Sequence, residues 1–315
     1  MVTESPAYAA IALNRFGLGA RLGETAGGNP RQFLIAQFDR YDPAPDPLMR
    51  LPDAGLIVQN YQAQQRAMRL AVPVAPEAKP TPAALEAKPA RTPEQQAVRK
   101  EFGQEVRALY RQAVQARMAS ALGAQAPFVE RLVHFWSNHF CVSADNPQVT
   151  ALAGAFERDA IRPHVLGRFE DMLLAVEQHP AMLVYLNQAQ SIGPNSPAGL
   201  RAAGNGKTRG LNENLAREIM ELHTLGVRSG YTQADVTEFA GALTGWSVDG
   251  LGARGRRDGD DSIGFLFRPQ THAALSSNWR HLGSCQLRWL AFSDSWTLVA
   301  VDAGRRLRHY DDVSG

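Results

Sequence analysis

Two segments of the chain are rich in side chains that can transfer protons or bind a metal ion. The first spans residues 127–140 and sets polar groups among aromatic ones, and the second spans residues 213–225. A histidine with a pKa near neutrality can act as an acid, a base or a metal ligand. The candidate catalytic residues of the two segments are Asn138, His139, Asn214, Arg217, Glu218, Glu221 and His223.

The first segment admits two interpretations. At about 100° per residue, Glu130, His134 and Asn138 line one side of a helix. This helix either presents histidine and amide groups to a pocket with aromatic walls, or it is a buried helix whose histidines bond to backbone carbonyl oxygens. For His134 alone the packing interpretation is the better one. For His139 both interpretations stay open.

The second segment places two carboxylates three residues apart. In a helical projection Glu218 and Glu221 lie on one flank of an apolar stripe, and His223 lies on the other flank. The two carboxylates can share a proton or a cation, because like charges at close range raise one pKa. They can equally face water and pair with Arg217 or Arg228. The stripe is predicted from Leu215, Ile219, Leu222 and Leu225.

No motif indicates a ready-made catalytic or metal site. The zinc-protease pattern H-E-x-x-H, paired E-x-x-H motifs and the nucleophile motif G-x-S-x-G do not occur. Cys141 and Cys285 lie in unrelated surroundings, so they predict neither a disulfide framework nor a thiolate metal site. A divalent metal ion is therefore a candidate cofactor only if several helices bring its ligands together, with His139, Glu218 and Glu221 as the candidate ligands.

The flanking residues predict helices that would position these groups. Asn212 can cap the second helix, and Gly226 is placed to end it in a left-handed conformation. Thr232, with Asp235 three residues later, predicts a capping box that starts the next helix. The central part of the chain is therefore predicted to be a helical hairpin.

Length and composition indicate a mainly α protein. The chain has 315 residues, of which 44% are hydrophobic and 20% charged, as is ordinary for a globular domain. Strand signals are few, and loops rich in Gly, Pro, Asn and Ser separate the helical segments. We predict a multi-helical single domain with long loops over residues 1–270. An Ala/Pro-rich flexible linker at 72–93 interrupts it, and an irregular tail at 271–315 follows it.

The net charge and the hydropathy of the chain limit the classes of partner that it is expected to bind. The formal net charge of +2 gives no sign of a nucleic-acid binder. No apolar run approaches the length of a membrane-spanning helix. The N-terminus lacks a basic start before an apolar run, so a cytoplasmic location is expected for the sequence as written.

Five motifs, in order, resemble a large bacterial family catalogued as domain of unknown function 1800. The resemblance covers about residues 8–270 and implies a helical bacterial protein with no agreed biochemical activity. It also implies a sulfatase-like protein encoded nearby as a possible partner, and many relatives carry export signals. The motifs are R-F-G-L-G-A-R, H-F-W-S-N-H-F, I-R-P-H-V-L-G-R-F, H-P-A-M-L-V-Y-L-N and N-E-N-L-A-R-E-I-M-E-L-H-T-L-G-V.

The resemblance also implies a polar pocket. Its fixed core F-W-x-N-H-F matches the run from Phe135 to Phe140. His139 is part of this core and is therefore a stronger candidate for a functional residue than His134. Burying Asn, His, Glu and Arg side chains only for packing would destabilise the fold. The second core matches Asn212, Asn214, Arg217, Glu218, Glu221, His223 and Thr224.

Two departures from the family pattern stand out. The family usually has an aspartate where this chain has Asn187, which puts any role of that carboxylate in doubt. Beyond Phe267-Arg268-Pro269 the chain leaves the family pattern, and the tail at 271–315 is expected to be truncated or read in a shifted frame.

Two hypotheses for function follow. The chain is either a helical enzyme, metal-assisted or not, that acts by hydrolysis or redox chemistry, or a non-catalytic binding and assembly protein. In the second case the same polar residues form a buried structural network. An open cleft between helix 127–140 and helix 213–225 favours the enzyme, and a sealed interface favours the binding protein.

Overall fold

The computed structural model describes residues 6–70, 92–206, 210–227, 229–248 and 265–273, together with the backbone of two strands between residues 285 and 302. Most of the predicted linker at 72–93 and much of the tail at 271–315 lie outside the described residues, as does Arg228.

Helices dominate the described chain, which confirms the mainly α fold class. Seven of the α-helices begin on a proline, a residue whose missing N–H is not needed at the first helical position. The α-helices are α1 (Pro6–Asn14), α2 (Pro30–Arg40), α3 (Asp46–Met49), α4 (Ala54–Leu70), α5 (Pro93–Gly123), α6 (Pro127–His139), α7 (Pro147–Phe156), α8 (Phe169–Gln178), α9 (Pro180–Tyr185), α10 (Pro197–Gly204), α11 (Asn214–Glu218) and α12 (Gln233–Leu243). Short 3₁₀ turns lie at Arg162–His164, Gln188–Gln190 and Pro269–Thr271.

Two π-helical turns extend α-helices in the described chain. The first turn, Glu157–Ile161, continues α7, and the second, Ile219–His223, continues α11. A π-helical turn holds one residue more than an α-helical turn, so every side chain after it is rotated relative to the α-helical pattern. Both turns lie beside buried charged groups.

The main core lies among the helices from α4 to α12. Its members include Val133, Ile161, Leu183, Leu215 and Leu243, all fully buried or nearly so. Since each comes from a different element, this cluster fixes α6, α9, α11 and α12 relative to one another. A smaller cluster of Ala12, Leu13 and Ala26 packs the N-terminal helices.

The helix ends predicted from sequence are confirmed around α12. The Thr232 hydroxyl accepts a hydrogen bond from the Asp235 amide, and the Asp235 carboxylate accepts one from the Thr232 amide. Gly226 has a φ of +92°, the left-handed conformation expected after the preceding helix. No helix in the described ranges is long and apolar enough to cross a membrane.

Strands are short and form two antiparallel pairs in the described chain. β1 (Trp246–Val248) pairs with β2 (Phe265–Phe267), and Trp246 packs into the core. β3 (Cys285–Phe292) pairs with β4 (Ser295–Asp302). The tail that the sequence predicts as irregular therefore contains a regular hairpin. Its strands are rich in aromatic and β-branched residues, as is typical of strands.

A buried ion network joins α5, α6 and the chain after α7. Arg162 is fully buried and donates hydrogen bonds to both Glu130 oxygens, at 2.9 and 2.5 Å, and to Glu157 at 3.1 Å. Arg117 and Ser137 bond to the second Glu157 oxygen at 2.6 and 3.1 Å. Two arginines face two glutamates, so the network is close to neutral. Because the first π-helical turn separates Glu157 from Arg162 by five residues, both point to the same side.

Replacing Arg162 with alanine should destabilise the fold strongly. The substitution leaves the Glu130 and Glu157 carboxylates buried without their main partner, which costs about 3–5 kcal/mol of the free energy of unfolding. Urea unfolding followed by circular dichroism measures the loss.

The matched control for this substitution is Arg50→Ala. Arg50 pairs with Asp46 at 3.7 Å, and the two side chains are 79% and 89% exposed, so its loss should change the free energy of unfolding by less than about 1 kcal/mol. Equal losses in the two variants would show that the buried network does not hold the helices together.

Candidate functional site

The centre of the candidate site is a buried pair, Glu177 and His223. Oε1 of Glu177 lies 2.7 Å from Nδ1 of His223, and the two side chains are 3% and 4% exposed. Glu177 comes from the last turn of α8, and His223 ends the second π-helical turn. The second oxygen of Glu177, Oε2, is buried with no hydrogen-bond partner among the described residues.

Burial raises the pKa of Glu177 above its ordinary value. The hydrogen bond from His223 opposes this rise, and the charge of Glu218 adds to it. Glu177 therefore holds a proton more tightly than an exposed glutamate does, while it lies within bonding distance of an imidazole. Such a pair can pass a proton between its members.

The second π-helical turn brings His223 into this pair. At α-helical spacing His223 falls on the flank of the helix and Leu222 falls in the apolar stripe. In the structure Leu222 is 57% exposed and His223 is buried at 5%. The extra residue of the turn rotates the end of the helix, so the predicted positions of these two side chains are wrong.

His139 lies directly against the second π-helical turn. Its Nε2 is 3.2 Å from the backbone carbonyl oxygen of His223, and the two imidazole centroids are 6.2 Å apart. A carbonyl oxygen only accepts, so Nε2 of His139 carries the hydrogen, and Nδ1 is the acceptor when the ring is neutral. This contact with a backbone carbonyl is of the kind that the packing interpretation predicts. His139 is nevertheless half-buried, whereas His223 is buried.

Aromatic rings surround both histidines. The His139 ring stacks parallel to Phe135 and meets Trp136 and Phe140 edge-to-face, with centroids 5.4 and 4.6 Å apart for the last two. Phe140 also meets the His223 ring edge-to-face at 5.2 Å. These rings restrict the rotation of both imidazoles and keep water away from one side of each.

Glu218 and Tyr185 are both more exposed than the Glu177–His223 pair. Glu218 is half-buried, and its charge raises the pKa of both Glu177 and Tyr185. Burial is the main cause of the raised Tyr185 pKa, to which the charges of Cys141 and Asp145 also contribute. The structure therefore brings Glu218 close to the Glu177–His223 pair.

The structure directs Glu221 away from the pair. Arg217 binds Glu221 and Glu213, each at 3.1 Å, and also Gln233 at 2.9 Å. This is the arginine pairing that the sequence leaves open as an alternative for Glu221. Because these side chains are partly exposed, they connect α11 to α12 on the outer surface.

The other candidate residues lie outside the pair. Asn138 and Asn214 are exposed. His134 belongs to the ion network instead, with Nε2 3.7 Å from Glu130, and burial lowers its pKa. Across the described part of the chain, no group of three or more His, Cys, Asp or Glu residues is placed to hold a metal ion. His139, Glu218 and Glu221 therefore do not form a ligand set here.

Glu177 is the site residue that sequence reasoning missed. It follows Leu173 by four residues and directly follows Val176, and both are buried. A carboxylate at this position of an apolar stripe is the signal that could have revealed it, because glutamate is rarely buried without a partner. Glu177 also borders a small cavity of about 10 Å³, roughly the space of one water molecule. Its other walls are Glu170, Leu173, Leu174, Ile219, Phe239 and Trp246.

Replacing Glu177 with glutamine should change how stability depends on pH. The folded-state pKa of Glu177 lies above its ordinary value of 4.5. The stability that the protonated carboxyl contributes is therefore fully present below pH 4.5 and is lost as the pH rises through the folded-state pKa. Relative to Glu177→Gln, the wild-type free energy of unfolding should fall as the pH rises from 4 towards neutrality.

Chemical denaturation at a series of pH values measures this difference. The control is Glu221→Gln, at a partly exposed glutamate, and the difference between this variant and wild type should not show the same fall. A wild-type protein that instead gains stability over Glu177→Gln with rising pH would contradict the raised pKa.

The chain was compared with family models, curated proteins and solved structures. No curated protein and no solved structure matches it. The family model described as "Protein of unknown function (DUF1800)" matches residues 11–283. The match covers most of the chain, including α6, α8 and the second π-helical turn, so the chain belongs to the DUF1800 family.

Proposed function

We propose that the chain is a helical hydrolase whose general acid–base centre is the Glu177–His223 pair, with His139 as a second proton-transfer group. The observation that carries the proposal is the 2.7 Å contact between the buried Glu177 carboxylate and Nδ1 of His223.

The geometry defines the role of each group. With Glu177 ionised, its carboxylate can only accept, so Nδ1 of His223 carries the hydrogen and Nε2 holds the lone pair. Nε2 is then the base that removes a proton from water, and Glu177 stabilises the imidazolium that forms. His139, half-buried beside His223, can give a proton to the leaving group only from the imidazolium form, and that proton comes from Nδ1 because Nε2–H is bonded to the His223 carbonyl oxygen. Glu218, which is more exposed than the pair, supplies a negative charge that acts on Glu177.

The cost of burial also supports a catalytic role. A carboxylate that is 3% exposed and leaves one oxygen unbonded in the described chain destabilises the fold by about 1–3 kcal/mol. Such costs are concentrated at functional sites, as are π-helical turns. We assign no step to a metal ion, because the described residues do not form a ligand set.

Hydrolysis of activated esters tests the proposal. The purified chain would be assayed against p-nitrophenyl acetate, phosphate and sulfate, alongside His223→Gln, Glu177→Gln and His139→Gln. Loss of the base in His223→Gln should lower kcat/KM by about 10²–10⁴-fold, with smaller losses in the other two variants.

The control for the assay is Glu221→Gln, which removes a carboxylate that pairs with Arg217 away from the histidines. Its activity should stay within about threefold of wild type. Thermal melts confirm that each variant is folded. A folded wild-type protein that is inactive on all three esters, or a fully active His223→Gln variant, would refute the assignment.

A second candidate function is assembly with a sulfatase-like partner. The nearly complete burial of Glu177 and His223 favours it, because a buried hydrogen-bonded pair can have a purely structural role, which is to fix the packing of helices. In that case His223→Gln would lower stability and partner binding together, with no catalytic activity to lose.

Co-expression with a sulfatase-like protein of the kind that the family resemblance implies, followed by affinity purification, tests this candidate. The expected result is a stoichiometric complex with wild type that Glu221→Gln retains and His223→Gln weakens. Recovery of the chain alone would eliminate this candidate.

A further inference from the structure

Apolar and basic side chains lie together around the start of α6, at the opposite end of that helix from His139. The chain from Phe16 to Leu22, helix α2 and the junction of α5 with α6 meet there around Phe128. The Phe128 ring contacts Phe16 and Phe38 edge-to-face, at 5.8 and 6.0 Å. The Phe128 amide donates to Gln37 at 2.7 Å. These contacts place the three elements side by side.

Two arginine side chains connect the N-terminal loop to the junction of α5 with α6 by hydrogen bonds. Arg21 donates to the carbonyl oxygens of Leu122 and Ala124, at 2.6 and 3.0 Å, and Arg131 donates to that of Gly17 at 2.9 Å. Carbonyl oxygens carry no net charge, so these bonds hold the arginines in place without neutralising them.

Large apolar side chains project into solvent at the same end. Leu22 is 107% exposed, which is as exposed as in an extended peptide, and Leu122 beside Arg21 is 71% exposed. Gly19 and Gly23 have positive φ values of 102° and 78°, so the loop turns sharply on either side of Leu22. We call this surface the apolar–basic face, and its apolar members are Phe16, Leu18, Leu22, Phe38, Met118 and Leu122.

Positive charge is concentrated around the face. The exposed charges in residues 14–40 and 106–131, apart from Arg117 of the ion network, are seven arginines and one acid. The whole chain carries a formal charge of only +2. The exposed acid is Asp39, whereas Glu24 is half-buried. The arginines are Arg15, Arg21, Arg31, Arg40, Arg107, Arg111 and Arg131.

We infer that the apolar–basic face docks onto an anionic lipid surface. Arginines near such a surface are attracted to its headgroups, and protruding leucines enter the boundary between headgroups and acyl chains. A lipid surface can take up a protruding apolar side chain such as that of Leu22, whereas a protein partner would need a matching cavity. The charge and the shape of the face therefore favour lipid over an acidic protein.

Vesicle co-sedimentation of the full chain tests the inference. The probes are phosphatidylcholine vesicles and matched vesicles that also contain phosphatidylglycerol. Binding to the anionic vesicles should be at least about tenfold tighter and should weaken with added salt. Leu22→Ser combined with Leu122→Ser should reduce binding about tenfold or more. Each of Arg15→Gln and Arg111→Gln should reduce it about fivefold.

Leu200→Ser is the matched control, because Leu200 is 61% exposed on α10, outside the face. All substituted side chains are exposed, so thermal melts should match wild type. Equal binding to both vesicle types, or to neither, overturns the inference. Sensitivity to the arginines but not to the leucines also overturns it, as does self-association that the leucine variant abolishes without any vesicle binding.

Discussion

The burial of the Glu177 carboxylate against His223 is the interaction on which the candidate site depends. Removing a carboxylate from water is costly, and a single hydrogen bond from an imidazole offsets only part of that cost. Burial raises the pKa of Glu177, so this carboxyl holds a proton more tightly than an exposed glutamate does. The pair is therefore suited to proton transfer, and α8, α11 and α6 must all be held in place to keep it sealed.

Helix α6 connects this pair to the buried ion network. Glu130 and Ser137 on α6 bond to Arg162 and Glu157, and His139 at its end bonds to the His223 carbonyl oxygen. The ion network is nearly neutral and well bonded, which fits a structural role. The Glu177–His223 pair leaves one carboxylate oxygen unbonded within the described residues. This contrast is why we assign the chemistry to the pair and the positioning to the network.

The helical fold could be predicted from sequence because its determinants are local. The proline at the start of α6, the Thr232–Asp235 capping box and the left-handed Gly226 each act within one turn of helix. The position of His223 could not be predicted, because a projection at 3.6 residues per turn contains no π-helical turn. Glu177 was missed because its partner is 46 residues away in sequence. Only the packing of α8 against the second π-helical turn reveals that pair.

The central claim is that His223 donates from Nδ1 to the Glu177 carboxylate and keeps Nε2 free as a base. Nitrogen-15 NMR of the imidazole rings near neutral pH tests this most directly, because protonated and unprotonated ring nitrogens have well-separated chemical shifts. The account predicts that His223 is protonated at Nδ1 and unprotonated at Nε2, and that Glu177→Gln changes this pattern whereas Glu221→Gln does not. A His223 ring protonated only at Nε2 in the wild-type protein would contradict it.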